Sequence, residues 1–238
     1  MADRDDAVRR VYEAADGDPA GVPERLCEAL IDVLSADAAT LCLFTDTPGR
    51  QLLCASSPEA LRLEELQYEA SDGPCVSAAT SGRAVVVGDL SSEVTPWPVF
   101  GALVREQLPH VAALFAFPLA FEGQVLGSAD VLLHQPRTPT PEVVEQGLSA
   151  ARAATMVLLS TYEGLTADES PPWAPSEEFD EYWSSLRQAV GVLAARLGID
   201  TGEALARIRA YAFGSGEPLP DIADSILHGP PHQPSGPS

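Results

Sequence analysis

The 238-residue sequence contains no lysine. Its 14 basic residues are all arginine, against 35 acidic ones, for a formal net charge of −21. Without lysine there is no GxxxxGK[ST] phosphate loop. An excess of acid this large is poorly suited to non-specific binding of nucleic acid or anionic membranes. Aromatic residues make up only 6%, so the core must be built mainly from Ala, Val and Leu. No apolar run approaches the roughly 18 residues of a membrane span. The charged start Met1-Ala2-Asp3-Arg4-Asp5-Asp6 lacks the apolar segment of a signal peptide. The cysteines Cys27, Cys42, Cys54 and Cys75 form no CxxC pair, which argues against a zinc ribbon or a dithiol redox motif. His110, His134, His228 and His232 are scattered, with no HExxH and no Ser/His/Asp order. The expectation is a soluble, cytoplasmic protein with no membrane contact, no catalytic residues, no metal ligands and no cofactor.

What is present divides the chain in three. Residues 1–160 alternate helical and strand patterns. Val22 to Leu34 repeats apolar residues at helical spacing, and Ala38 to Thr45 reads as a strand. Thr47-Pro48-Gly49 is a turn, and Gln51 to Ala55 pairs back as a hairpin. Ala84 to Val87 is a short strand. Val111 to Phe121 and Gln124 to Leu133 are strands joined by a tight turn at Glu122-Gly123. Pro141 to Leu159 is a closing helix, and the stretch between the two sheet segments reads as loop-rich. The fold class is α+β, an antiparallel sheet with flanking helices. Residues 161–176, with Pro171, Pro172 and Pro175, read as a linker. Residues 177–229 read as three helices: Phe179 to Leu197, a second capped by Asp200 with Glu203 as capping-box partner, and a short third over Asp221 to Leu227. Gly214-Ser215-Gly216 breaks the second. Residues 230–238 read as a disordered tail.

Two stretches resemble known families. Glu65-Leu66-Gln67-Tyr68-Glu69-Ala70-Ser71-Asp72-Gly73-Pro74-Cys75-Val76, then Ala79-Thr80-Ser81-Gly82-Arg83, Val87-Gly88-Asp89-Leu90, Phe117-Pro118-Leu119 and Gly127-Ser128, resembles bacterial GAF sensor domains over about residues 20–160. Gln188-Ala189-Val190-Gly191-Val192-Leu193-Ala194-Ala195-Arg196-Leu197-Gly198, continued by Glu203-Ala204, Arg207 to Ala212 and Leu219 to Ala223, resembles the ANTAR domain over about residues 178–228. Together they are similar to actinobacterial GAF–ANTAR regulators. The resemblance implies a sensor with a pocket under the loops after Gly82 and Leu90, taking a small-molecule or protein signal. It further implies a three-helix output module that acts as a homodimer, binds paired stem-loops in nascent RNA and favours transcription antitermination.

Carried onto this sequence, the RNA-contacting candidates are Arg187, Gln188, Ala189, Gly191, Arg196, Arg207, Arg209, Tyr211 and Ala223. Arg187 and Arg196 fall on opposite sides of their helix, and Arg207 and Arg209 diverge, so no single helix carries a basic stripe. The small residues Ala189, Gly191, Ala194 and Ala195 either admit an RNA loop or a neighbouring helix, or are simple core packing. Tyr211 either stacks on a base or closes the core with its hydroxyl in water. Val190 stands where the family usually has lysine, and residues 177–238 carry nine acids against four arginines, net −5. These departures favour a second reading, a dimerisation or partner-docking regulator whose ANTAR-like module has lost RNA binding.

The pocket candidates are Phe44, Cys75 and Trp97. Cys75 begins a helix, where the dipole would favour a thiolate, but no basic residue is near it in sequence, and a structural cysteine at a turn reads better. Trp97 either lines the loop over the pocket or anchors that loop. His110 and His134 fall at sheet ends in water. The acid pairs Glu64-Glu65 and Glu177-Glu178 read as solvated faces rather than an acid/base pair.

Overall fold

The computed structural model describes residues 2–45, 49–163 and 177–229. Most of the linker, the tail and most of the Thr47-Pro48-Gly49 turn lie outside the described residues. The chain divides into two compact units at about residue 174.

The first unit is built on a five-stranded antiparallel sheet of order β2-β1-β5-β4-β3. The strands are β1 (Ala38–Thr45), β2 (Gly49–Ala55), β3 (Val85–Val87), β4 (Ala113–Phe121) and β5 (Gln124–Leu133). Glu122 and Gly123 both have positive φ, 48° and 83°, the backbone that suits a two-residue hairpin between β4 and β5. Six helices flank the sheet: α1 (Ala2–Glu13), α2 (Val22–Leu34), α3 (Pro58–Ala70), α4 (Pro74–Ser81), α5 (Pro98–Gln107) and α6 (Pro141–Glu163).

The strands alternate, and each face buries a separate core. Leu41, Phe115, Phe117 and Val131 pack with Val11 of α1, Leu26 and Leu30 of α2, and Ala150 and Ala154 of α6. Leu114 and Leu132, on the other face, pack with Leu63 and Leu66 of α3 and Phe100 and Val104 of α5. Thr40 pairs with Asp130 and Cys42 with Ser128 across β1 and β5, each one step out of phase with the first core. Four polar or thiol side chains therefore stand on the α3 face at the centre of the sheet.

The stretch expected to be loop-rich is corrected by the structure. It holds α3, α4 and α5, each with proline at the first or second helical position. Proline there gives up only an N–H that has no intrahelical partner, so Pro58, Pro74 and Pro98 start helices. Two boundaries also move. The closing helix extends through the expected linker start to Glu163, and Gly214 and Ser215 fall inside the second helix of the C-terminal unit, which Gly216 ends at φ 73°.

The second unit comprises α7 (Glu177–Leu197), α8 (Thr201–Ser215) and α9 (Leu219–His228). Its core joins Leu186, Ala189, Val190 and Ala194 of α7, Ala204, Leu205 and Ile208 of α8, and Leu219, Ile222 and Ala223 of α9, all buried. The Asp200 side chain accepts the Glu203 N–H at 2.8 Å, the expected N-cap. The Glu203 carboxylate is turned instead to Arg207, 2.6 Å away. No described helix is long and apolar enough to cross a membrane.

Gly127 sits opposite Leu43 in the β1–β5 ladder, and a Cβ there would collide with the Cys42 carbonyl and the Leu43 backbone. Backbone offers no rotamer by which to yield. Gly127→Ala is expected to destabilise the chain by about 3 kcal/mol, read as a lower urea midpoint at unchanged slope.

Candidate functional site

The α3 face of the sheet centre carries a buried polar cluster. Glu64, Gln67 and Tyr68 lie at helical spacing on one side of α3, all buried. Arg50 enters from β2, and Cys75 from the first turn of α4. Glu64 and Asp130 are each only 2% exposed, and Cys75 is fully enclosed.

Arg50 Nη1 donates to Cys75 Sγ at 2.6 Å and lies 3.7 Å from Glu64 Oε2. Its guanidinium carbon is 5.8 Å from the Phe44 ring centroid and 5.6 Å from that of Tyr68, so two aromatic faces add to its anchoring. Thr40 Oγ1 donates to Glu64 Oε1 at 2.7 Å. Gln67 ties the cluster together: its Nε2 donates to Asp130 Oδ2 at 3.0 Å and to Glu64 Oε1 at 3.3 Å, and its Oε1 accepts the Cys75 N–H at 2.8 Å.

Gly73 makes this possible. Its φ is 142°, and a Cβ would lie 2.7 Å from Gln67 Oε1 and 2.9 Å from Gln67 Cγ. Gly73 supplies the turn and the space, Pro74 starts α4, and Cys75 is delivered onto Gln67.

Burial controls the electrostatics. It pushes the Cys75 thiol well above its ordinary range, with the Arg50 charge opposing it only in part. This corrects the view of Cys75 as lacking a basic neighbour: the fold supplies Arg50 from 25 residues away. Burial also overrides the pull of the helix dipole toward thiolate. Burial raises Glu64, while Arg50 and the Thr40 hydroxyl draw it back down. Asp130 is pushed up to about 8 by burial and by the neighbouring Glu64 charge. Burial also works against the Arg50 charge, but Cys75, Glu64, Cys42 and Asp130 hold the guanidinium above its ordinary pKa.

Glu64 is therefore no solvated acid. Helical spacing turns it inward, while Glu65, one residue on, pairs at the surface with Arg62 at 2.6 Å. The side chains of Glu177 and Glu178 lie outside the described residues. Of the pocket candidates, Phe44 and Cys75 meet through Arg50. Trp97 reaches α4 by donating Nε1–H to Ser77 Oγ at 2.9 Å, and packs edge-on against Phe100 at 6.2 Å. It is 5% exposed, with the contacts of a loop anchor. His134 is exposed, with Nε2 2.7 Å from Glu59, and that hydrogen bond raises its pKa.

In the second unit, Arg187, Gln188, Gly191, Arg196, Arg207 and Tyr211 are exposed and Arg209 is half-buried. Ala189 and Ala223 are fully enclosed and serve as core. Val190 is likewise interior, at 6% exposure. Gly191 differs from its neighbours: a Cβ added there would meet nothing within 4 Å.

A family profile described as the GAF domain matches residues 18–159, and one for the ANTAR domain matches residues 184–227. Among solved structures, the GAF domain of a Coxiella burnetii phosphoenolpyruvate-protein phosphotransferase is 13% identical, with a TM-score of 0.54 over 68% of this chain and 96% of that one. The corresponding Acinetobacter domain is 12% identical, with a TM-score of 0.48 over 68% and 96%. A free methionine-R-sulfoxide reductase from Neisseria meningitidis is 15% identical, with a TM-score of 0.48 over 68% and 92%. No curated protein matches the chain.

Asp130 binds its proton more tightly in the folded chain than unfolded, where it reverts toward 3.8. The folded state thus holds more protons between about pH 4 and 8, and stability falls as pH rises through that window. Asp130→Asn removes this slope. In urea titrations in EDTA-containing buffer, the variant should match the parent near pH 4 and exceed it increasingly toward pH 8. Parallel curves would contradict the assignment.

Proposed function

Because the chain belongs to the GAF domain family through residues 18–159 and an ANTAR-domain match follows at residues 184–227, we propose that it is a signal-responsive regulator that binds paired stem-loops in nascent RNA and favours antitermination. The sensor unit takes a small-molecule or protein signal, and a homodimer presents one C-terminal module to each stem-loop. Linked sites raise the local concentration for the second contact, so dimer geometry alone can switch the output. The two matched families are regulatory rather than catalytic.

Gly191 is the observation that carries this reading. Glycine inside a helix costs roughly 1 kcal/mol relative to alanine, and nothing among the described residues requires it here. Its smallness serves the approach of something outside. Arg187 lies one helical turn before it, and Gln188 adjoins the same face. This offers a charged donor, an amide and an open backbone, a set suited to a splayed RNA loop. Arg196, Arg207 and Tyr211 add cations and a stacking surface on other faces. A second reading, a protein-docking module, is favoured by the net −5 of residues 177–238 and by Val190 standing where the family usually has lysine.

A gel shift of the full chain with a two-stem-loop leader RNA should be salt-sensitive. Arg196→Ala should reduce the slope of log K against log salt by about 0.9, one phosphate contact. No shift at any salt, together with a co-purifying protein partner, would support the docking reading instead. Gly191→Ala separates stability from binding: it should stabilise the free chain by about 0.5–1 kcal/mol while weakening RNA binding. Lower stability would mean that Gly191 is needed internally.

A further inference from the structure

We propose that Glu64, Cys75 and Asp130 form a binding site for one divalent first-row transition-metal ion inside the GAF unit. Their ligating atoms come from α3, α4 and β5, and all lie within 4.8 Å of one another. The Cys75 Sγ to Glu64 Oε2 separation is 4.0 Å. Around a tetrahedral zinc ion, sulfur and oxygen donors stand roughly 3.5–3.7 Å apart. Closing the cluster from separations of up to 4.8 Å to that distance takes inward side-chain shifts of about 1 Å.

The donor set selects the class of ion. One thiolate with two carboxylates is a mixed sulfur–oxygen set, which favours zinc-like ions over calcium or magnesium, whose ligands are oxygen only. The formal charge agrees. Three groups able to become anions face a single buried guanidinium, leaving two negative charges that one divalent ion cancels.

A second, independent feature points to a ligand. Asp130 Oδ1 and Ser128 Oγ are both buried and make no hydrogen bond of good geometry, although the Ser128 hydroxyl is close enough to favour the Asp130 carboxylate. Folded proteins rarely leave such atoms unsatisfied. The rest of the cluster is arranged as a metal site's surroundings would be. Gln67 orients both carboxylates, Thr40 fixes Glu64, and Arg50 donates an N–H to the coordinating sulfur. Arg50, at 9% exposure, is the charged member nearest solvent. The site stands apart from whatever the C-terminal module binds, so its test uses no RNA.

The full chain is stripped with chelator, then titrated with Zn2+ by calorimetry and with Co2+ by absorbance. The expected result is one ion per chain, with a thiolate-to-cobalt charge-transfer band in the near ultraviolet. Cys75→Ser should abolish the band and weaken zinc binding by roughly 100-fold or more. Should that variant fail to fold by circular dichroism, Asp130→Asn, which keeps the side-chain shape, should keep the band but bind zinc at least about tenfold more weakly. Absence of stoichiometric binding overturns the proposal. So does cobalt binding without a thiolate band, or a folded Cys75→Ser or Asp130→Asn that titrates like the parent, since each assigns the ion to surface carboxylates.

Discussion

The guanidinium of Arg50 is the charge that lets the centre of the first unit exist. Two carboxylic side chains and a thiol, each nearly or wholly enclosed, occupy the α3 face of the sheet where an apolar residue would otherwise pack. Enclosing a lone carboxylate is expensive, and removing one member of a buried ion pair typically costs about 3–5 kcal/mol. Arg50 meets that cost with charge toward Glu64 and Cys75 and with two aromatic rings against its faces. The positions of β2, α3 and α4 are tied to one another through this residue and through Gln67.

The sheet and the C-terminal helices were legible in the sequence because their signals are local. The apolar periodicity of Val22 to Leu34, the tight turn at Glu122-Gly123 before Gln124 to Leu133 and the Asp200 cap are each short-range, and each element stands where the pattern placed it. The middle of the first unit was misread because proline carries two meanings. At Pro58, Pro74 and Pro98 it initiates helices, and only the residues that follow distinguish that from a break. The buried cluster as a whole was not legible. Arg50, Glu64, Cys75 and Asp130 are far apart in sequence, and register and helical phase alone bring them together. One signal did exist: Glu64, Gln67 and Tyr68 share a helical face with Leu63 and Ala60 around it, which marks Glu64 as inward and Glu65 as outward.

In the second unit, the acidic balance sets the terms for the proposed RNA contact. A net −5 over residues 177–238 weakens long-range attraction to phosphate, so any RNA affinity depends on short-range contacts. At a few ångströms a guanidinium aimed at a phosphate outweighs the average field, which is screened beyond about 8 Å in physiological salt. An acidic background of this kind suppresses non-specific binding of nucleic acid more than it suppresses any contact made at short range. The residues that reach outward, Arg187, Gln188, Gly191 and Arg196, alternate along α7 with Leu186, Ala189, Val190 and Ala194, which form its core. The same helix thus holds the module together and presents its surface.

Strand β5 connects the buried cluster to the opposite core by the simplest route a sheet offers. Asp130 faces α3 and α4, while its neighbours Ala129 and Val131 belong to the core that packs with α6. Successive residues of a strand share one rigid backbone and point to opposite faces, so a shift that re-seats Asp130 also moves Ala129 and Val131. Phe117, fully enclosed beside Ala129 on β4, has its ring packed directly over Gly147 of α6, where even one added methyl group would not fit. Interiors packed this closely transmit small displacements rather than absorbing them. The buried cluster around Arg50 and the α6-facing core thus share one strand, with Phe117 on the neighbouring strand seated against α6.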